Sequence, residues 1–278
     1  MANIGERVSL EILRDTPVGL FLDAGGDIGD ILLPGPEMPN RWEIGGEVDV
    51  FLYTDSEDRP VATMKMPKVM PGEFAFLEII SRTGVGAFLD WGLPKDLLLP
   101  FSEQRDEIEV GRSVIVYVRV DEKSGRIVAT QRVRRFLDDF EPDYFAGEEV
   151  DLLIYGKTEL GYKAIINNLH SGVLFHNEVF RRLRHGERTK GYVQQIREDG
   201  KIDLSLQPIG RAGSESLEIR LEKELQKRGG FLPLDDSSPA EQIHDELGVS
   251  KKQFKKAAGA LFKKRLITFE RGGMKWLG

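Results

Sequence analysis

One pattern occurs three times along this chain, and that repeat limits the possible folds more than any other feature. In the middle copy, residues 84–101 read GVGAFLDWGLPKDLLLPF. A glycine pair precedes a short apolar run (Ala87, Phe88, Leu89), a turn region follows around Gly92 and Pro94, and a second apolar run fills 97–99. Such punctuation predicts two short strands. Residues 18–23 (VGLFLD) fall on 85–90 (VGAFLD) at an offset of 67, and Arg59, Val61, Ala62 and Thr63 fall on Arg126, Val128, Ala129 and Thr130 at the same offset. Leu32, Leu33 and Pro34 match Leu98, Leu99 and Pro100 at 66. A third, more diverged copy lies 75 residues on, where Leu160, Gly161 and Tyr162 answer Val85, Gly86 and Ala87, and Lys201, Ile202, Leu204 and Ser205 answer Arg126, Ile127, Ala129 and Thr130. Solenoid repeats run to about 20–50 residues, so a longer period indicates tandem small domains, each with its own core.

Each copy offers five strand candidates; in the middle one these are 74–80, 86–89, 97–99, 113–120 and 126–130. Five short strands in such a length suit a Greek-key barrel of the OB type. On the fourth strand Val114, Val116, Val118 and Val120 share the inward face, with Ile115, Tyr117 and Arg119 on the other. Residues 136–147 (FLDDFEPDYFAG) read as an acidic linker with a short helical piece. After about Gly213 the period becomes helical. Residues 216–228 carry Leu217, Leu221 and Leu225 at four-residue spacing, a second helix starts at Ser238 and Pro239 and stops near Gly248, and a third follows Ser250 with the stripe Phe254, Ala257, Ala258, Leu261 and Phe262. A hairpin turning at Gly272 and Gly273 completes the order of a winged helix-turn-helix. The predicted architecture is multidomain and mainly β with an α+β tail: three five-stranded OB barrels at 1–66, 67–140 and 141–212, then a winged helix at 213–278.

Composition narrows the chemistry. The chain has 278 residues, 40% of them hydrophobic, and no cysteine, which removes disulfides, thiolate nucleophiles and cysteine zinc sites. It has no apolar run near the roughly 18 residues a membrane helix needs, and its start lacks the layout of a signal peptide, so the cytoplasm is the expected compartment. The formal net charge of -7 is unevenly spread: -8 over residues 1–66, -2 over 67–142, 0 over 143–212 and +3 over 213–278. Positive potential therefore collects toward the C-terminal half.

GAFLD followed by LLLPFSE, inside a barrel-sized unit, resembles the S1 RNA-binding domain, with its Gly-Ala-Phe strand and Leu-Val-His-Ile-Ser strand. Three such copies before a winged helix containing SKKQFKKAAGALFKKRLI and the wing ITFERGG resemble the bacterial conserved virulence factor B family over essentially the whole chain. The resemblance implies a cytoplasmic RNA-binding protein that influences gene expression after transcription. It places Phe21 and Phe88 where S1 domains stack bases, with Lys163 at that position in the third copy. The S1 histidine falls at Pro34 and Pro100, and in the third copy at Phe175, with His176 next.

OB barrels hold single strands by stacking bases on exposed rings, each worth about 1–3 kcal/mol, while Arg and Lys follow the phosphates. The outward series Phe51, Tyr117 and Tyr192 recurs in the fourth strands. In the acidic first copy these rings are expected to pack against a neighbouring domain, because its surplus charge repels phosphate. The expected nucleic-acid contacts are Phe88, Trp91, Tyr117 and Arg119 in the second barrel; Lys163, Phe175, His176, Arg181, Arg182, Arg184 and Tyr192 in the third; and Lys251, Lys252, Lys255 and Lys256 in the winged helix. Arg132, Arg134 and Arg135 extend the surface. No Walker loop or HExxH occurs, and His170, His176, His185 and His244 form no ligand pair. Catalysis, a cofactor and a metal are therefore not expected. Two other readings fit the same residues: a DNA-binding transcription regulator acting through the winged helix, where only Gln253 and its flanking lysines suit base edges, and an interaction scaffold at the ribosome or polymerase.

Overall fold

The computed structural model describes residues 2–278 other than 106, 177, 178, 180, 209–216, 248, 250 and 271. The chain divides into two compact units, residues 1–137 and 138–278.

The first unit holds two closed barrels. Strands β1 (Arg7–Thr16), β2 (Gly19–Asp23), β3 (Asp30–Pro34), β4 (Glu47–Thr54) and β5 (Pro60–Thr63) form the first, in the order β1-β2-β3-β5-β4. Strands β6 (Phe74–Thr83), β7 (Gly86–Leu89), β8 (Leu97–Pro100), β9 (Ser113–Val120) and β10 (Ile127–Thr130) repeat the arrangement. Strands three and five run parallel in each copy, Leu32 beside Val61 and Leu98 beside Val128, which closes the barrel. The predicted five-strand OB topology is thus present. Val116 and Val118 fill the second barrel as their alternation requires, while Ile115, on the outward row, is also buried.

The second unit contains the third barrel and the winged helix. β11 (Glu149–Lys157), β12 (Gly161–Ile166), β13 (His170–Phe175), β14 (Arg188–Ile196) and β15 (Ile202–Ser205) close in the same order. The segment before β11 is extended rather than helical; the short 3-10 turn lies just upstream, at Val133–Phe136. Side-chain hydrogen bonds fasten that segment to the barrel. Asp138 accepts from the Ser171 amide at 2.8 Å and its hydroxyl at 2.9 Å. Buried His170 bridges the Phe140 carbonyl at 2.8 Å and the Tyr144 hydroxyl at 2.9 Å. Because a carbonyl only accepts, Nε2 carries a proton and donates to Phe140, and His170 pins this segment to the barrel.

Helices α1 (Leu217–Lys227), α2 (Ala240–Leu247) and α3 (Lys251–Lys263) follow, with β17 (Ile267–Glu270) and β18 (Gly273–Trp276) as the wing. A two-residue strand, β16 (Phe231–Leu232), pairs with β18 and makes the sheet three-stranded, an element too short to carry a sequence signal. The stripe Phe254, Ala257, Ala258 and Leu261 is buried with Leu221 and Leu225. Phe262 departs from expectation: it is 50% exposed and leans on Phe269 at 5.6 Å. The expected start at Ser216, stop near Gly248 and cap at Ser250 lie outside the described residues.

The repeat's first glycine has a steric cause. At Gly86, φ is 155° and a Cβ would stand 2.4 Å from the Leu99 carbonyl oxygen. The matching Gly19 and Gly161 face the Leu33 and Leu174 oxygens at 2.1 and 2.0 Å. Only a residue without a side chain lets strands two and three meet there. Gly86→Ala should lower stability by about 2 kcal/mol or more in urea unfolding, whereas Gly84→Ala, with nothing within 4 Å of its Cβ position, should leave the midpoint unchanged.

Candidate nucleic-acid interface

The three outward faces have different fates. In the first barrel the fourth strand's ring is covered by the second barrel: Phe51 is fully buried, 6.0 Å edge-on from Trp91 and 6.4 Å from Tyr53. Tyr53 and Val61 join the same apolar cluster as Trp91, Leu97 and Ile127. Burial, followed by the Glu37 and Asp55 carboxylates, pushes the Tyr53 phenol up to about 12. Phe21 carries the Arg14 guanidinium 4.2 Å over its ring, and Arg14 also pairs with Asp30. Phe51 therefore packs on the neighbouring barrel as expected, whereas Phe21 stays half-exposed under an arginine of its own barrel.

That packing corrects the reading of Trp91. It is 3% exposed and donates its indole N–H to the Lys95 carbonyl at 2.6 Å, so it presents no face to a base. Tyr117 is corrected likewise: its ring is stacked by Phe136 at 4.1 Å and touches Phe74 at 4.8 Å. Arg119 is bound by Asp121 at 3.2 Å and Glu103 at 3.9 Å, which neutralises it as a phosphate contact. Phe88 remains half-exposed and lines a cleft of about 180 Å³ with Lys95 and Arg126.

Glu103 is a residue the sequence reading missed. It accepts from the Thr130 hydroxyl at 2.6 Å and lies 3.8 Å from Arg132, so it ties the turn after strand three to the end of strand five. Glu37 and Thr63 make the same hydrogen bond in the first barrel, with Lys65 alongside. Its signal was available, since both residues recur at the repeat's own offsets, 66 for the glutamate and 67 for the threonine.

In the third barrel the equivalent face is open and cationic. Lys163, half-exposed, pairs with Val173 across the β12–β13 ladder, and Phe175 pairs with Gly161. The Arg197 guanidinium stands 5.4 Å over the Phe175 ring while binding buried Asp203 at 2.9 Å, which holds it in place. His176 is exposed and meets half-buried Tyr162 edge-on at 5.6 Å, and Lys157 lies 5.9 Å over that same tyrosine. Tyr162, Arg197 and Lys157 were not expected from the sequence; alternation places Tyr162 inside, but it sits at the barrel mouth against the core edge. Tyr192 lies elsewhere, donating to Glu149 at 3.3 Å beside Lys190. Arg181, Arg182 and Arg184 are exposed on the turn before β14, with Arg181 held by Glu187.

The lysines of α3 prove to be divided. Lys252 pairs with Asp143 at 3.1 Å, Lys256 with Glu148 at 3.4 Å while lying 5.3 Å over Phe145, and Gln253 donates to the Tyr144 carbonyl at 2.9 Å. The N-terminal turn of the would-be recognition helix is thus engaged by the segment leading into β11. Lys251 reaches the Ser237 carbonyl at 3.4 Å, and Lys255 is exposed. Among the described residues, no group of acidic or histidine side chains is arranged to hold a metal, and no helix is long and apolar enough to cross a membrane.

These barrels and the helical tail place the chain among proteins built from nucleic-acid-binding domains. The S1 domain model matches residues 4–65 and 71–132, and the CvfB-like winged helix domain model matches 220–276. A Bacillus subtilis protein, uncharacterized protein YitL, is 30% identical over 96% of this chain and 92% of its own length. Conserved virulence factor B of Staphylococcus aureus is 24% identical over 91% of each chain. The chain belongs to the conserved virulence factor B family. A solved Streptococcus pneumoniae multidomain protein with nucleic acid binding domains aligns over 99% of both chains at 23% identity and a TM-score of 0.42.

Phe51→Ala should cost about 3–5 kcal/mol, as core aromatic truncations do, read by urea unfolding through the emission of its neighbour Trp91. Phe88→Ala, at a half-exposed position, should cost about 1 kcal/mol or less.

Proposed function

We propose that this is a non-catalytic, cytoplasmic RNA-binding protein acting in post-transcriptional regulation, and that the third barrel is its principal site for single-stranded RNA. The carrying observation is two ring–cation contacts on this barrel, Phe175 under Arg197 and Tyr162 under Lys157 beside exposed His176, together with half-exposed Lys163 on β12. Rings interleaved with cations are what a single strand requires: unpaired bases stack on the rings, and the cations follow the phosphates. Arg181, Arg182 and Arg184 extend the track, and Lys255 of the winged helix adds charge. Four modules, divided near residues 66, 140 and 212, make up the chain in this reading.

The matches of this chain to the S1 domain and the CvfB-like winged helix domain models support a nucleic-acid partner. The hydrogen bond of the Gln253 amide to the Tyr144 carbonyl weighs against the duplex-DNA reading, since that amide is the group on α3 suited to base edges.

Phe175→Ala should weaken binding of a fluorescein-labelled single-stranded RNA by about 1–3 kcal/mol in fluorescence anisotropy. Replacing Arg181, Arg182 and Arg184 together by Ala should reduce the salt slope by about one per lost phosphate contact. Unchanged affinity and slope in both variants would remove the third barrel as the site, and a preference for duplex DNA would favour the winged helix.

A further inference from the structure

The second barrel's counterpart of the RNA face is occupied from within the chain. The turn joining β4 to β5 carries Asp55, Ser56, Glu57 and Asp58. Asp55 braces it, accepting from the amides of Glu57 at 2.9 Å and Arg59 at 3.0 Å. Asp58 adopts φ 62°, a left-handed conformation uncommon outside glycine, which aims its carboxylate out of the turn. That carboxylate meets two cations of the second barrel, the Lys95 ammonium at 3.1 Å and the Arg126 guanidinium. Lys95 also donates to the Asp55 carbonyl at 2.6 Å and to the Thr54 hydroxyl at 3.1 Å. Phe88, a half-exposed ring of this barrel, lines the same cleft as Asp58, Lys95 and Arg126.

A carboxylate set between an ammonium and a guanidinium, beside an aromatic ring, reproduces what a backbone phosphate next to a stacked base would find. The adhesion of the two barrels does not depend on this contact, because Phe51, Tyr53 and Val61 are buried separately against Trp91 and Leu97. The side chains of Asp58 and Arg126 are 41% and 46% exposed, and ion pairs so placed contribute little to stability and are screened by salt. A polyanion can therefore displace the turn without separating the barrels.

We infer that the acidic turn of the first barrel is an internal competitor for the nucleic-acid face of the second: Asp58 holds Lys95 and Arg126 in place of an RNA phosphate, and the face admits RNA when the turn yields. This rests on the reading of the chain as a single-stranded RNA binder. It gives the first barrel, with its net charge of -8 over residues 1–66, a regulatory task rather than a binding one.

The test is Asp58→Asn in the full chain, titrated against a fluorescein-labelled oligouridylate at two salt concentrations. Asparagine tolerates the left-handed backbone, so the turn keeps its shape. Affinity should rise about 3- to 10-fold, and the salt slope should steepen by about one for each cation freed. Adding Lys95→Gln and Arg126→Gln to that variant should abolish the gain. Glu57→Gln, which removes a charge paired with Arg59 at 2.9 Å, should leave affinity at the wild-type value. Wild-type affinity and slope in Asp58→Asn would overturn the inference and leave the third-barrel site standing, and an equal gain from Glu57→Gln would overturn it as a mere net-charge effect. Binding by neither wild type nor Asp58→Asn would overturn both readings, whereas binding by Asp58→Asn alone would support the competitor.

Discussion

Closing five strands into a barrel sends every second side chain inward and leaves an outer row that the barrel itself cannot bury. The parallel pairing of strands three and five, Leu98 beside Val128 in the middle copy, sets this constraint three times in one chain. Once the inner rows are packed, the outer row must be covered by something else or face water. The first barrel buries Phe51, Tyr53 and Val61 on the second, and the second covers Tyr117 with Phe136 from its own trailing turn. The third leaves Phe175 half-exposed under the Arg197 guanidinium. Three copies of one fold thus differ in what covers their outward rings.

Electrostatics follows the same division. Where the outer row is covered, the cations nearby are spent on carboxylates of the same unit: Lys95 and Arg126 on Asp58, Arg119 on Asp121. Where it is open, a buried acid, Asp203, serves to hold Arg197 over a ring rather than to cancel a surface. The winged helix is treated as the covered barrels are, with Lys252 and Lys256 paired to Asp143 and Glu148. Counting positive residues along the sequence therefore overstates the surface on offer.

The fold was legible in the sequence because its determinants are local and repeated. Period-two alternation marked Val116 and Val118 as core, the recurring glycine marked the close approach of strands two and three, and the leucine spacing from Leu217 to Leu225 marked a helix. The site was legible only in part. Nothing in the run FLDWG distinguishes a tryptophan that stacks on a base from one that packs on Phe51, because the covering ring lies 40 residues away in another copy. Phe262 fits the apolar stripe by spacing yet falls at its edge, where Phe269 is its neighbour instead of the core. Tyr162 was hidden for the converse reason: alternation assigns it inward, and only its place at the barrel mouth brings it to solvent with His176.

The central claim is that the open face of the third barrel receives the RNA. Hydrogen–deuterium exchange of the full chain with and without a single-stranded RNA tests it most directly, because each backbone segment reports separately. Slowed exchange is predicted, concentrated in β12, β13 and the turn before β14. Protection confined to α3 and the wing, or none beyond that of the free protein, would contradict it.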